Sequence, residues 1–241
     1  MSKLASENKF VDFSDYGRPF AKYFTPKLVD TSVTPIHITL LFGVCGIISI
    51  VLLFQKQVVL AGLFLVLKSI IDAMDGELAR LKKKPSYVGR YLDSVFDNLL
   101  NLALFISFAI LVQTSIWWGI LAYACVQLQG TFFNYYYVII RTNSIGGDTT
   151  SKIFETRVPK AFPLEQQRHV TFLFYTYLAL YGIFDRIVYT IDASAQKTTK
   201  FPNWFMSLVS MYGLGFQLLL MAVLIAFGKI HWVIPFFIGY T

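Results

Sequence analysis

Cysteine and histidine are scarce in this chain, which has two cysteines and three histidines in 241 residues. Cys45 and Cys125 both fall inside long hydrophobic segments, where cysteine ordinarily serves as a small buried side chain. The sequence therefore gives no indication of a disulfide or of a thiolate metal site. Charged residues make up only 15% of the chain. Polar residues occur throughout residues 1–30, so we expect no cleavable signal peptide.

Hydrophobic residues are abundant, at 56% of the chain, and the mean hydropathy is +0.57. This composition indicates an integral membrane protein, and we expect an all-α fold, a polytopic membrane helical bundle of about six transmembrane helices. The predicted spans are residues 38–54, 57–81, 87–113, 116–140, 169–184 and 204–227. A last apolar piece that contains Pro235 is too short to span. We divide the chain into a cytoplasmic segment, residues 1–35, and a transmembrane domain, residues 36–241.

Aromatic residues recur every three to four positions before the first span. They are Phe10, Phe13, Tyr16, Phe20 and Tyr23 or Phe24. Charged residues lie between them. This spacing predicts an amphipathic helix in the cytoplasmic interface of the membrane. A disordered, aromatic-rich tail is the alternative.

The formal net charge is +7, and the basic residues concentrate in alternate loops. By the positive-inside rule, both termini and the lysines at 82–84 face the cytoplasm. The opposite side would hold Asp185 and Asp192, to which we assign no catalytic role. The basic residues are scattered over loops, which fits attraction to anionic lipid and does not indicate binding to nucleic acid.

The longest predicted cytoplasmic connection is the 141–168 loop, and its length allows a functional or regulatory role. Its basic residues are Arg141, Lys152, Arg157, Lys160 and Arg168. They could meet an anionic acceptor or a lipid phosphate, or serve only as topology charges on a solvated loop.

Four aspartates interrupt the hydrophobic sequence, and they are Asp72, Asp75, Asp93 and Asp97. Burying one ionised carboxylate in a transmembrane helix costs about 2.5–3.5 kcal/mol on insertion scales. The flanking hydrophobic runs contain a single basic residue, Lys68. Metal ions are therefore the natural source of compensating charge.

The spacing places these carboxylates on facing helices. Asp72 and Asp75 share one helical face, and Asp93 and Asp97 share another. The lysines and Pro85 between them predict a short turn that joins antiparallel helices. Carboxylates at similar distances from this turn would lie level with each other. Such a set of oxygen ligands suits Mg²⁺, Mn²⁺ or Ca²⁺ rather than zinc or copper.

These residues resemble those of a known family. The CDP-alcohol phosphotransferases, also called CDP-alcohol phosphatidyltransferases, share the pattern D-x2-D-G-x2-A-R-x8-G-x3-D-x3-D, and this chain keeps every interval. The matching residues are Asp72, Asp75, Gly76, Ala79, Arg80, Gly89, Asp93 and Asp97. The hydropathy of the remaining chain is also similar to that of the family.

The resemblance implies a membrane phosphotransferase for substituted phosphate groups. An acceptor hydroxyl would attack the β-phosphorus of a CDP-linked donor, and CMP would leave. The four aspartates would hold Mg²⁺ or Mn²⁺, as two ions, and Asp97 would also take the hydroxyl proton. The nucleotide-binding residues would be Gly76, Ala79, Arg80, Gly89 and Thr39. Outside this motif, glycines such as Gly76 and Gly89 would more often be helix-packing residues of a membrane protein. An arginine such as Arg80 would more often be a positive-inside anchor.

Residues 34–39 resemble the family's T-P-N-x-[IL]-T entry to the first span. Pro35 and Thr39 match, but Ile36 stands where the family usually has asparagine, so Ile36 does not supply the polar contact to the nucleotide that the family pattern implies there. His37 is either a local replacement for that contact or an interfacial histidine.

The resemblance leaves the donor and the acceptor open. Most members use CDP-diacylglycerol and a polar alcohol such as a glycerol phosphate, an inositol phosphate or serine. Others transfer a CDP-activated head group to diacylglycerol or join two soluble alcohols. The small size resembles that of the bacterial and archaeal CDP-diacylglycerol users, which implies a prokaryotic inner membrane. The family resemblance itself implies a homodimer. A cation transporter is the non-enzyme alternative; the glycine–arginine pattern and the absence of an inverted repeat argue against it.

Overall fold

The computed structural model describes residues 10–144, 152 and 154–241. Within these ranges the chain is helical and contains no strand, which confirms the expected fold class. The α-helices are α1 (Arg18–Phe24), α2 (Pro35–Phe54), α3 (Val58–Leu81), α4 (Tyr87–Leu111), α5 (Ile116–Ser144), α6 (Gln167–Ile191), α7 (Asn203–Ser210), α8 (Leu214–Ala226) and α9 (Ile230–Gly239). Short 3-10 helices cover Phe13–Asp15, Thr25–Leu28 and Ala193–Lys197. Residues 1–9 of the predicted N-terminal segment, and residues 145–151 and 153 of the 141–168 loop, lie outside the described residues.

Local sequence signals set the starts of two helices beside the motif. Thr34 caps α2 by accepting a hydrogen bond from the N–H of His37, and Pro35 occupies the first turn, where its missing N–H costs nothing. Ser86 caps α4, and its hydroxyl accepts a hydrogen bond from the N–H of Gly89 at 2.7 Å. The predicted turn between the motif helices is thus confirmed at residues 82–86.

Helix α2 packs against both motif helices, α3 and α4. Helix α8 also packs on α3, while α5 and α6 pack on α4. The largest apolar core lies away from the aspartates, where Leu65, Phe105, Leu218 and Phe237 are fully buried. These side chains come from α3, α4, α8 and α9, so the core fixes the relative positions of the two motif helices.

Helices α2 to α6 overlap the first five predicted spans, but fewer helices are long and apolar enough to cross a membrane. Among the described residues α2 and α4 meet both criteria, and α7 with α8 would form a third span with a 47° bend. The number of crossings and the cytoplasmic position of both termini therefore stay predictions.

The predicted sixth span is divided into α7 and α8 by a break at residues 211–213. The N-terminal segment lies against this break. A Cβ atom at Gly213 would be 2.4 Å from Cβ of Ser14, and the N–H of Phe13 donates a hydrogen bond to the hydroxyl of Ser210 at 3.0 Å. Residue 213 must therefore be glycine for the two segments to approach this closely.

The aromatic N-terminal segment forms a 3-10 turn and the short helix α1 instead of one continuous helix. Phe20, Tyr23 and Phe24 are exposed on α1, while Gly17 lies against the backbone of α3. An uncovered aromatic face suits the membrane interface, and the interfacial position stays a prediction.

Two glutamates tie the segment before α6 to the start of α4. Glu165 accepts a hydrogen bond from the hydroxyl of Ser86 at 2.6 Å. Glu155 is buried, forms an ion pair with Arg90 and accepts a hydrogen bond from the hydroxyl of Tyr91 at 3.2 Å. The described part of the predicted 141–168 loop is therefore packed on the motif hairpin.

Candidate functional site

The hairpin of α3 and α4 brings three of the four motif aspartates together. One carboxylate oxygen each from Asp72, Asp75 and Asp93 lie within 4.8 Å of one another. Asp75 is buried, and Asp72 and Asp93 are half-buried. Two unit charges at that distance repel by about 3–4 kcal/mol at an effective dielectric constant near 20. Such a group of ionised carboxylates needs a cation beside it.

Two features of the cluster fit a metal ion. Oδ1 of Asp93 is buried, and no hydrogen-bond partner reaches it among the described residues. Oδ2 of Asp75 accepts a hydrogen bond from the hydroxyl of Thr39 at 2.9 Å, which fixes the orientation of that carboxylate. A set of carboxylate ligands in which one carboxylate is held in orientation and another has an oxygen without a hydrogen-bond partner suits a hard divalent cation.

Asp97 lies beside the cluster but has a different partner. Its Oδ1 accepts a hydrogen bond from Nζ of Lys68 at 2.5 Å, in a pair that joins α4 to α3. Lys68 is completely buried, and its Nζ also lies 4.9 Å from the ring centroid of Phe42. The single basic residue of the hydrophobic run is thus paired directly with one of the four carboxylates, and its charge also acts on Asp72 and Asp93.

The aspartates form one wall of a cavity of about 460 Å³. Its other walls come from α5, α6, α8 and the N-terminal segment. A volume in the range of roughly 300–1,000 Å³ is typical of small-molecule sites. The cavity is therefore large enough for a ligand beside the carboxylates.

The lining of this cavity contains two further kinds of side chain. The basic residues are Arg80, Arg90, Arg141 and Lys152. The neutral polar residues include Asn101, Gln127 and Thr131, each of which has a buried polar atom without a hydrogen-bond partner among the described residues. The first kind can bind a phosphate and the second a hydroxyl group.

The predicted nucleotide-binding residues occupy different positions relative to the cavity. Gly76 and Arg80 line it, and Arg80 also donates a hydrogen bond to Glu77 at 2.6 Å. Ala79, Gly89 and Thr39 do not belong to the lining. The hydroxyl of Thr39 donates to Oδ2 of Asp75 at 2.9 Å and to the carbonyl oxygen of Pro35 at 3.2 Å, so one of its observed partners is a motif carboxylate.

His37 has a local role in the fold. Its Nδ1 accepts a hydrogen bond from the N–H of Thr34 at 3.2 Å, which completes a capping box at the start of α2. The ring is exposed. Of the two interpretations of His37, the structure favours the one without a nucleotide contact.

The expectation that Asp185 lies on the side opposite the motif is wrong. Helix α6 continues to Ile191, beyond the predicted end of that span, and Asp185 lines the same cavity as the motif aspartates. Asp192 ends this helix, where it accepts a hydrogen bond from the hydroxyl of Tyr136 at 3.1 Å.

Sequence reasoning missed Asn101, a lining residue that helical spacing could have indicated. It follows Asp93 and Asp97 at the same four-residue interval. The same spacing relates Lys68 to Asp72, although Lys68 lies outside the lining. Glu155, which pairs with the cavity residue Arg90, has no such signal because its position depends on tertiary packing.

Comparisons with known proteins identify relatives of the chain. The sequence model of the family described as CDP-alcohol phosphatidyltransferase matches residues 32–234. A bifunctional IPC transferase and DIPP synthase of Aquifex aeolicus is 29% identical over 114 residues, which cover 47% of this chain and 26% of that protein. A protein of the same name from Thermococcus kodakarensis is 39% identical over 75 residues, 31% of this chain and 17% of that protein. Archaetidylinositol phosphate synthase of Pyrococcus horikoshii is 29% identical over 83 residues, 34% of this chain and 44% of that protein. The matches thus span less than half the length of each of these curated relatives.

Proposed function

Because this chain belongs to the CDP-alcohol phosphatidyltransferase family, we propose that it transfers a phosphatidyl group from CDP-diacylglycerol to the hydroxyl of a polar alcohol, with release of CMP. Membership in this family makes the chain a phosphotransferase of phospholipid biosynthesis, which favours an enzyme over the cation-transporter alternative. The observation that carries the proposal is the three-carboxylate cluster in the wall of a cavity that also contains basic side chains.

In the proposed reaction, the acceptor oxygen forms a bond to the β-phosphorus of the donor. The bond between that phosphorus and the bridging oxygen breaks, and the bridging oxygen leaves as part of CMP. The acceptor proton passes to Asp97, which lines the cavity next to the cluster. A positioned base of this kind typically contributes about 10²–10⁴-fold in rate.

Asp72, Asp75 and Asp93 would hold a divalent cation, Mg²⁺ or Mn²⁺. The family resemblance adds a second ion that would share Asp97, whose Oδ1 already accepts a hydrogen bond from Lys68. When bound, these cations would neutralise the pyrophosphate and the charge that develops on the leaving group. The oxygen-only donor set and the orphaned Oδ1 of Asp93 support this site.

Gly76 and Arg80 would face the CDP moiety, because both line the cavity on the same helix as two of the carboxylates. The Arg80 guanidinium would bind a phosphate. Gly89, Ala79 and Thr39 complete the nucleotide-binding set that the family pattern implies; for Thr39, the hydrogen bond to Asp75 supports an indirect contribution.

The acceptor would occupy the part of the cavity lined by α4 and α5. Arg90 and Arg141 there suit an anionic group, while Asn101 and Gln127 suit hydroxyl groups. The name of the Pyrococcus relative, an archaetidylinositol phosphate synthase, makes an inositol phosphate the first acceptor to test. Glycerol phosphate and serine are the other candidates, and transfer of a CDP-activated head group to diacylglycerol is the alternative reaction.

The proposal places the cavity at the cytoplasmic face of a prokaryotic inner membrane, where CDP-linked donors and soluble acceptors meet. It also includes a homodimer, which follows from the family resemblance alone.

The test is mass spectrometry of lipid products from labelled CDP-diacylglycerol and a panel of alcohols, with purified protein in detergent. We expect one acceptor to give a phosphatidyl product and an equal amount of CMP. Asp97→Asn serves as the matched inactive control. Product only from a CDP-linked head group and diacylglycerol would establish the alternative reaction.

A further inference from the structure

We propose that Lys68 is a positioning residue for Asp97: it holds one oxygen of this carboxylate, keeps Asp97 from joining Asp72, Asp75 and Asp93 around the first cation, and leaves the other oxygen for the acceptor proton. This inference rests on the proposed function, because it assigns separate tasks to carboxylates of the same site.

The first observation is that Lys68 is buried and its ammonium group has partners within the fold. Its side chain is fully buried between α3 and α4, and Nζ contacts Oδ1 of Asp97 and the face of the Phe42 ring. A buried ammonium group without a counter-ion would be very costly. The pair is therefore a fixed part of the fold, and the α3 helix positions a residue of α4 through it.

The second observation is that Asp97 lies close to the three-carboxylate group but is not a member of it. Asp72, Asp75 and Asp93 form a group within 4.8 Å, and the described residues place no fourth carboxylate in that group. A cation that approached Oδ1 of Asp97 would meet the Lys68 ammonium group already bound there. Lys68 thus makes binding of the cation by Oδ1 of Asp97 unfavourable.

The third observation concerns the remaining oxygen. Asp97 lines the cavity, and the hydrogen bond from Lys68 is made to its Oδ1. Because Lys68 occupies Oδ1, the carboxylate would present Oδ2 to an alcohol in the cavity. A base must lie within hydrogen-bond reach of the proton that it takes, and a fixed orientation meets that requirement.

The test combines Mn²⁺ binding, measured without substrate, with the kinetics of the transfer reaction. We expect Lys68→Met to tighten Mn²⁺ binding by about tenfold or more, because a positive charge beside the cluster is lost and Asp97 is released towards it. We expect kcat to fall by about 10²-fold because the base is misplaced, while the KM for the donor changes little.

Two further variants separate positioning from folding. Lys68→Arg keeps a buried cation and should recover much of kcat and the weaker Mn²⁺ binding. The double variant Lys68→Met/Asp97→Asn removes both charges, so its Mn²⁺ affinity should return towards that of the unchanged protein, which also shows that the neutral pair folds. Lys82→Met is the matched control, because it makes the same substitution at a lysine that does not line the cavity. Lys82 instead donates hydrogen bonds to the carbonyl oxygens of Thr31 and Val33.

Unchanged or weaker Mn²⁺ binding by Lys68→Met, in a protein that binds Mn²⁺ before the substitution, would overturn the inference and leave the proposed function intact. A fall in donor affinity equal to the fall in kcat would show a general structural role and would also overturn it. Failure of the unchanged protein to bind Mn²⁺ would instead contradict the metal site of the proposed function, and the positioning role would fall with it.

Discussion

The aspartates of the motif differ in the partner that each carboxylate has. Asp75 accepts a hydrogen bond from Thr39 and Asp97 is paired with Lys68. Asp93 has a buried oxygen that no described residue contacts by a hydrogen bond. Identical side chains on a shared spacing therefore have different chemistry, and substitutions of them should have distinguishable effects.

Asp97 should separate from the other aspartates in a Mg²⁺ titration. Asp72→Asn or Asp93→Asn should weaken metal binding, so that activity partly recovers at high Mg²⁺. Asp97→Asn removes the base, so kcat should fall by about 10²–10⁴-fold and stay low, with a modest change in donor affinity. The measurement is turnover and CDP-diacylglycerol binding for each variant.

The exposed Asp30 provides the control for this series, since Asp30→Asn removes the same charge away from the cavity. If added Mg²⁺ restored the turnover of Asp97→Asn, Asp97 would be a metal ligand only. Another residue would then have to be the base.

Thr39 should act through Asp75. Thr39→Val removes the hydrogen bond to Oδ2 of Asp75, and loss of such an outer partner typically weakens metal affinity or activity by about 10–100-fold. Thr39→Ser keeps the hydroxyl and is the matched control. Mn²⁺ binding checks this prediction, and equal affinities for the two variants would contradict it.

At this scale the sequence predicted the cluster because helical spacing is a local property. The four-residue and three-residue intervals place Asp72, Asp75 and Asp93 on the inner faces of a hairpin without knowledge of other helices. The pairing of Lys68 with Asp97 depends on the distance between two helices, so spacing could indicate only that a cation was nearby.

The helical elements depend on close approach at small residues. A Cβ atom at Gly62 of α3 would lie 2.9 Å from the carbonyl oxygen of Ala222 on α8. We expect Gly62→Ala to lower stability by about 1–3 kcal/mol, the usual cost of overpacking, and to reduce the thermal unfolding midpoint in detergent.

Gly182→Ala on α6 provides the comparison, because the nearest atom to its Cβ would be Cδ2 of Leu178 at an ordinary 3.8 Å. This variant should be neutral or slightly stabilising, since alanine favours a helix. Equal loss of stability in both variants would show that the α3–α8 contact is not the cause.

Hydropathy predicted where the helices lie better than it predicted their ends and breaks. The α7–α8 break forms where Ser14 meets Gly213, and the apolar sequence of residues 204–227 gave no signal of that distant contact. Similarly, α6 continues past residue 184 into a more polar stretch, which brings Asp185 to the cavity. Tertiary contacts decide both features.

The whole molecule should have a fixed orientation in the membrane. Lys83 lies in the exposed turn between α3 and α4, and Lys56 lies in the exposed turn between α2 and α3. By the positive-inside rule, Lys83→Cys should react with an impermeant thiol reagent from the cytoplasmic side only, and Lys56→Cys from the opposite side only.

Protein without an added cysteine gives the background of this labelling, and buried Cys45 should contribute little to it. Labelling of Lys83→Cys from the extracytoplasmic side would overturn the orientation and move the predicted opening of the cavity to the other face.

We expect the three-carboxylate cluster to make CMP release from CDP-diacylglycerol dependent on a divalent cation. The most direct measurement is CMP release by the purified protein in detergent, with an alcohol acceptor present, before and after chelation. Chelation should abolish release and Mg²⁺ or Mn²⁺ should restore it, because oxygen-only ligands favour hard ions. Full CMP release in excess chelator would show that the cluster does not hold a metal ion needed for the reaction.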